Sequence, residues 1–435
     1  MTSPTEPRRA GIGRALRHRN FRLFFSGQSV SLIGTWITRI ATSWLVYRLT
    51  HSAMLLGLVG FCGQIPTLLL APVAGVLVDR WDRHRILIWT QAMSALQSLA
   101  LALLALTGTI TVEWVLVLQI VQGLINAFDT PARQAFVVHM VDDRDDLPNA
   151  IALNSTMVNG SRIIGPSIGG IIIAAVGEGW CFMIDAISYV AVIASLLAMR
   201  LPPLPRSGGR GAILTELRTG FQYVTRFVPV RTALLLLALV SLMGMPYTVL
   251  MPVIATQTLH GGANTLGFLM TASGLGAVGG ALYLASRRSV LGLGRVMVLA
   301  TVAFGIGLVA FSQARTLWVA LLVLPVVGAG MMIEMASTNT ILQTIVTEEL
   351  RGRVMSFYAM AFLGTAPIGS LLAGIVANRV GASPTILLGG VACIAGGIWL
   401  ALRLRGIREL VRPIYVERGI IAAVQADAAT ASGVP

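Results

Sequence analysis

The sequence predicts an all-α membrane protein of about twelve transmembrane helices in two pseudo-symmetric six-helix bundles. Three observations carry that prediction. Of the 435 residues, 55% are hydrophobic and only 11% charged, with mean hydropathy +0.80, against about 25% charge in soluble domains. Apolar runs of roughly 20 residues, each long enough to cross a bilayer, follow one another with short breaks along the chain. Landmarks of the first half then recur in the second.

The first six spans are expected near 21–49, 54–78, 86–107, 112–133, 147–175 and 179–200. The second six are expected near 229–256, 265–285, 294–313, 316–340, 354–378 and 384–403. The recurrence is specific. Gly123 with Asp129 returns as Gly328 with Glu334, 205 residues on. Gly165-x4-Gly170-Ile171-x4-Val176-Gly177 returns as Gly369-x4-Gly374-Ile375-x4-Val380-Gly381, 204 residues on. Spans four and five thus correspond to spans ten and eleven, the internal repeat of a transporter built from two homologous bundles.

Arginine placement sets the orientation. All 32 basic residues are Arg, with no Lys, and they gather at alternate breaks: Arg8 to Arg22, Arg80 to Arg85, 200–231, Arg287 to Arg295, Arg351 with Arg353, and Arg403 to Arg418. The breaks between carry only Arg48, Arg315 and Arg379. The positive-inside rule therefore puts both termini in the cytoplasm, with an even number of spans. The organisation expected is a basic cytoplasmic tail over 1–20, bundles over 21–200 and 229–403, a cytoplasmic linker over 201–228, and a tail over 404–435. In the linker, Ile213, Leu217, Phe221 and Val224 form one stripe of a short amphipathic helix, expected at the membrane surface.

Composition excludes several functions. A P-loop needs the Lys of GxxxxGK[ST], so the chain holds no self-contained P-loop pump. The net charge of +14 sits at the ends of apolar segments, which makes it topological and gives no reason to expect a nucleic-acid partner. Cys62, Cys181 and Cys393 fall in separate spans and read as small core hydrophobes. The apolar run after the N-terminal arginines is too long for a cleavable signal. No metal-ligand cluster or triad is present, so neither an enzyme nor a cofactor is expected. Gly165-Pro166-Ser167-Ile168-Gly169 contains GxSxG, but the nucleophile elbow needs a strand-turn-helix context that a membrane span does not supply.

Ionisable residues inside spans are functional candidates, because each costs roughly 2.5–3.5 kcal/mol on insertion scales. Arg162 lies near the middle of span five, Arg39 in the outer half of span one, and Asp185 in the outer half of span six. Arg162 is expected to contact an anionic or polar group of a substrate, or to form a salt bridge, perhaps with Asp185. Asp129 and Glu334 lie toward the ends of spans four and ten. Arg133, one turn from Asp129, can pair with it as a gate charge, whereas Glu334 is the candidate for proton coupling. Uncharged candidates for a polar cavity are Gln28, Trp36, Gln64, Asn126, Asn154, Asn159 and Asn339.

Gly75-Val-Leu77-Val-Asp79-Arg80-Trp-Asp-Arg83-His-Arg85, between spans two and three, resembles the corresponding loop of the major facilitator superfamily of secondary transporters. The resemblance implies that Gly75, Asp79, Arg80 and Arg83 form a gate. Asp79 would cap the start of span eleven near Ser356, where a carboxylate gains from free N–H groups. Gly280-Ala281-Leu282 is taken as the counterpart in the second half, without an acid. Gly160 and Gly165-Pro166-Ser167-Ile168-Gly169-Gly170 resemble the glycine-proline motif of exporters, which suits a helix that flexes between the halves.

Further stretches narrow the likeness: Asn20-Phe21-Arg22-Leu23-Phe24, Gly27-Gln28-Ser29-Val30-Ser31, Trp44 to Thr50, Ala127 to Gln134, Leu147-Pro148-Asn149-Ala150 and Arg351-Gly352-Arg353-Val354. Together they resemble the enterobactin-exporter and macrolide-efflux branch, over about residues 15–403. That implies a monomeric secondary transporter of a bacterial cytoplasmic membrane. It would export small amphipathic molecules, drug-like or siderophore-like, by alternating access in exchange for protons. The alternatives are a lysophospholipid or other lipid flippase and a non-transporting receptor or assembly factor. Gln119 stands where many proton antiporters carry an Arg before Gln122-Gly123, a departure from the usual coupling motif.

Overall fold

The computed structural model describes residues 13–141, 143–199, 213–287 and 289–421, and these residues are almost wholly helical. The N-terminal half holds α1 (Arg19–Thr50), α2 (Ala53–Arg80), α3 (Arg83–Leu106), α4 (Val112–Phe136), α5 (Leu147–Val176) and α6 (Glu178–Leu197). The amphipathic α7 (Ile213–Arg226) follows. In the C-terminal half, α8 (Val228–Leu239) and α9 (Tyr247–Val253) form one span with the π-turns Val240–Gly244 and Ile254–Thr258. Then come α10 (Ala263–Ser286), α11 (Leu293–Gln313) and α12 (Leu317–Ile345). Next α13 (Glu348–Ala359) and α14 (Thr365–Val380) join through the π-turn Met360–Gly364, and α15 (Ala382–Glu417) ends the described chain.

Eleven of these segments are long and apolar enough to span a bilayer. The twelfth is α1, whose 32 residues reach about 48 Å at 1.5 Å per residue. Its apolar content is diluted by Gln28, Ser31, Thr35, Thr38, Arg39 and Thr42, and it packs between α5 and α6 like any other member of the bundle. The seventh span is broken where the sequence reading expected a continuous helix. Pro246 and Pro252 have no N–H to donate, and the ladder widens beside them, with Met245 N donating to Val240 O at 3.1 Å. Helix α15 continues past the expected limit at 403 to Glu417, taking Arg403, Arg405, Arg408 and Arg412 with it. Because successive spans alternate in direction, residues 13 and 421 lie at the same end of the bundle, called here the terminal face.

The repeat is structural. Gly177 and Gly381, paired by sequence, end α5 and α14 with φ of 90° and 94°, a region that side-chain-bearing residues rarely adopt. The symmetry also reaches helices that sequence comparison did not pair. Ala53, Gly57 and Gly63 of α2 match Ala263, Gly267 and Ser273 of α10, each 210 residues on. This register corrects one expectation: Ala285, not Gly280, pairs with Gly75, and Gly280 packs on Ala329 of α12.

Two crossings join the halves near the face opposite the termini. A Cβ added to Gly374 would lie 3.0 Å from Gly57 Cα and 2.7 Å from Ala53 O. Its symmetry mate on Gly170 would lie 3.1 Å from Gly267 Cα and 2.9 Å from Ala263 O. Backbones meet there directly, the close approach that small-xxx-small pairs allow in lipid. The glycine-proline stretch is therefore divided between two jobs. Gly165 abuts Trp36 and Gly169 abuts Ile40, both on α1 within the same half, whereas Gly170, the Pro166 carbonyl and Ser167, whose Oγ lies 2.7 Å from Thr271 Oγ1, face α10. At 100° per residue, positions 165 and 169 share one face of α5, and 166 and 170 the next. Gly160 has nothing within 4 Å of a would-be Cβ.

The ends of α2, α3, α4 and α6 are fastened together at the terminal face. Asp82 caps α3, its Oδ1 accepting from His84 N at 2.9 Å and Arg85 N at 3.3 Å. The His84 ring stacks on Phe136 at 5.8 Å, and its Nε2 lies 2.8 Å from Leu196 O. Gly75 has open space where a Cβ would go, so the close packing expected at this glycine is absent in this conformation. The Asp79 side chain lies outside the described residues. Helix α7 sits against α13, with the Phe221 and Phe357 rings 6.2 Å apart and Val224 buried beside Val230, Val354 and Val411.

Replacing Gly374 with Leu should leave the chain inserted but disturb this crossing by about 1.4 kcal/mol, a tenfold change in population. A Thr35→Cys reporter in the cavity should then react more slowly, by up to about tenfold, with an impermeant maleimide applied at the terminal face. Unchanged labelling would show that the crossing carries no conformational weight.

Candidate functional site

Between the halves lies a cavity of ≈ 1410 Å³. It opens at the terminal face between Arg133 at the end of α4 and Glu348, Glu349 and Arg353 at the start of α13. Its inner end reaches Leu56, Val59 and Thr248, just short of the two glycine crossings. The chain is thus open on one side and closed on the other.

The two walls differ in chemistry. The N-terminal wall is made by polar stripes on three helices: Gln28, Ser31, Thr35, Thr38 and Thr42 on α1; Gln91, Ser94 and Ser98 on α3; Gln119, Gln122, Asn126, Asp129 and Arg133 on α4. Steps of three and four residues keep each stripe on one helix face. Inward of the charged mouth formed by Glu348, Glu349 and Arg353, the opposite wall is mainly apolar, with Val249, Met270, Ala359, Met360 and Leu363. Of the residues expected from sequence, Gln28, Arg39, Gln64, Asn126, Asp129, Arg133 and Asp185 line the cavity, whereas Arg162, Asn159 and Glu334 are not part of its lining. The three stripes as a whole escaped the sequence reading. Their signal was present in the spacing of the polar positions, an inverted amphipathic pattern inside otherwise apolar runs.

Polar groups on the N-terminal wall are mostly satisfied by one another. Asp129 is buried, accepting from Thr90 Oγ1 at 2.9 Å and Gln91 Nε2 at 2.8 Å, with Arg133 Nε 3.4 Å from its other oxygen. The expected pair of Asp129 and Arg133 is therefore present. Gln122 Nε2 donates to Ser94 Oγ at 3.3 Å and Asn126 Oδ1 at 3.2 Å. Thr67 Oγ1 donates to Gly123 O at 2.8 Å, tying α2 to α4.

Asp185 is deeply buried, at 1% exposure, where α6 packs against α1 and α3. Its Oδ2 accepts from Ser98 Oγ at 2.8 Å, while Oδ1 has no hydrogen-bond partner. Gly34 makes room for it, since a Cβ there would lie 2.7 Å from Oδ1. The salt bridge considered between Arg162 and Asp185 is not formed. Instead Arg162 and Arg39 share one aromatic ring, their guanidinium carbons 5.4 and 5.0 Å from the Trp36 centroid. Glu334 is buried inside the C-terminal half, Oε1 accepting from Thr338 Oγ1 at 3.1 Å and Oε2 without a partner. Asn159 donates to Ser155 O in its own helix at 2.8 Å.

Comparison with known proteins fits this geometry. The sequence pattern of the transmembrane secretion effector family, a branch of the major facilitator superfamily, matches residues 13–412. The chain belongs to that family. It is 29% identical over 380 residues to the staphyloferrin A transporter of Staphylococcus aureus, covering 86% of this chain and 93% of that protein. It is 28% identical to the multidrug efflux pump Tap of Mycolicibacterium fortuitum, over 87% of this chain and 93% of that one. It is 25% identical to the enterobactin exporter EntS of Citrobacter koseri, over 92% and 96%. Among solved structures, an inward-facing, unoccupied bacterial homologue of the lysosomal transporter Spinster shares the fold. Its TM-score is 0.67 at 14% identity, over 93% of this chain and 98% of that chain. The chain is a multi-pass membrane transporter, not an enzyme.

Asp129→Asn should weaken the hydrogen bonds from Thr90 and Gln91 and leave the Arg133 charge uncompensated. A loss of about 1–3 kcal/mol is expected for such a buried group, visible as an apparent melting temperature several degrees lower in detergent. An unchanged melting curve would assign the cluster no structural weight.

Proposed function

We propose that the chain exports small amphipathic molecules from the bacterial cytoplasm by alternating access, in exchange for protons. The observation that carries this reading is the cavity itself: one polar wall and one apolar wall, sealed at one face and open at the other. Such a space suits a molecule with a polar head and an apolar body, the shape shared by drugs and siderophores. The relatives' names, which include a staphyloferrin transporter, an enterobactin exporter and macrolide and multidrug efflux proteins, support the same class of cargo. Arginine enrichment at the terminal face supports a cytoplasmic location for that face and for both termini, which makes the present state inward-open.

Alternating access then requires the glycine crossings to part while the terminal face closes. In that closure Arg133 on one lip approaches Glu348 and Glu349 on the other, and Gly75 gains the neighbours it lacks here. Asp79, Arg80 and Arg83 belong to the same lip, and we assign them the gate role. For coupling, Asp185 is the better placed carboxylate. It lines the cavity, has one oxygen free of partners and has no cation bridging it among the described residues. Glu334 is shut inside the C-terminal half.

Everted vesicles should accumulate a cargo such as a fluorescent macrolide when a proton gradient is imposed and release it on adding an uncoupler. Accumulation that ignores the uncoupler removes the antiport claim. Asp185→Asn should abolish gradient-driven accumulation while sparing cargo–cargo exchange; gradient-driven transport at the normal rate would reject the assignment. Asp79→Asn should leave the protein folded and lower transport at least severalfold, and normal transport would reduce the α2–α3 turn to a topological signal.

A further inference from the structure

Inside the N-terminal half, Arg39 and Arg162 reach toward one indole from different helices. Arg39 on α1 lines the cavity and is exposed to it, while Arg162 comes from α5. Their guanidinium carbons lie 5.0 and 5.4 Å from the Trp36 centroid. Among the described residues neither guanidinium has a carboxylate within 4.0 Å, and neither has a side-chain hydrogen bond. Asp185, the carboxylate of the inner cavity, is engaged by Ser98. Two like charges gathered at one indole in a membrane span repel each other, and cation–π contact with the ring returns only part of that cost. Such an arrangement is a receptor for negative charge. It is also placed to report occupancy to both halves, because the Arg162 backbone touches α10: a Cβ on Gly274 would lie 3.1 Å from Arg162 O.

We propose that Arg39, Trp36 and Arg162 form the site that binds the anionic group of the cargo, so that the transported class is carboxylate-bearing amphipathic molecules. This rests on the exporter reading and narrows it. The anion is taken up by the two guanidinium groups, each of which can donate bidentate hydrogen bonds to a carboxylate. Trp36 holds both side chains in place by cation–π contact. The apolar body of the cargo extends across the cavity to Val249, Met270, Met360 and Leu363. Arg39 meets the ligand from the cavity it lines, and Arg162, which stands behind that lining at the junction of the halves, completes the site once the anion draws the two side chains together.

The probe is N-dansyl-glutamate, two carboxylates on an aromatic body, compared with its uncharged diamide in nanodiscs by energy transfer from tryptophan. The diacid is expected to bind at least tenfold more tightly than the diamide. Arg39→Gln and Arg162→Gln should each abolish that preference while melting within a few degrees of the parent, and Arg39→Lys should restore part of it. Equal affinity for the two probes, binding of neither, or a preference that survives both Gln variants overturns the site. Everted vesicles separate this from the broader reading. If the preference holds but the vesicles do not accumulate the diacid, the anion site stands and the export reading falls. If they accumulate diacid and diamide alike, export stands and the anion site falls.

Discussion

Everything in this structure depends on two places where backbone meets backbone, Gly57 against Gly374 and Gly170 against Gly267. Inside a bilayer the hydrophobic effect does not drive helices together, since lipid tails are as apolar as leucine. What remains is close packing, which requires residues without side chains at the contact. Because the two crossings are related by the internal repeat, they seal the same face from both sides of the cavity. A seal made chiefly of van der Waals contacts, with no ion pair among the described residues, can be broken at modest cost and remade, which alternating access demands.

With that face closed, the cavity acquires two unlike walls. The repeat supplies the same helix positions to both halves, yet the polar stripes turned toward the cavity are those of α1, α3 and α4. Their equivalents leave the facing wall to Val249, Met270 and Met360. Divergence of two symmetric halves is what turns a symmetric scaffold into a site for an amphipathic molecule. The same divergence separates Asp129 from Glu334. The first lies on the cavity lined by hydroxyl and amide donors and paired with Arg133, and the second is enclosed by α11 and α12.

Much of this was legible in the residues. Apolar runs, arginine placement and the repeated glycines pointed to two six-helix bundles, and the seal partners Gly170 and Gly374 stood inside the repeat. The other half of each seal did not stand out. Ala53 and Gly57 match Ala263 and Gly267 at an offset of 210 rather than 204 or 205, and loops of unequal length hid the register. Gly165 and Gly169 were read as surfaces between the halves, but one residue of rotation turns them onto α1. Arg162 invited a salt bridge with Asp185, and the two are engaged elsewhere, by Trp36 and Ser98.

The sequence by itself determined that this chain spans a membrane about twelve times, which end of each span is basic, and that the halves repeat. Hydropathy, charge and periodicity are local properties, and the bilayer reads them one segment at a time. Only the tertiary structure decided which small residues touch across the halves, which polar stripes share one cavity, and which two arginines stand at one indole. Those are relations between segments distant in sequence, fixed by how helices rotate and cross when they pack.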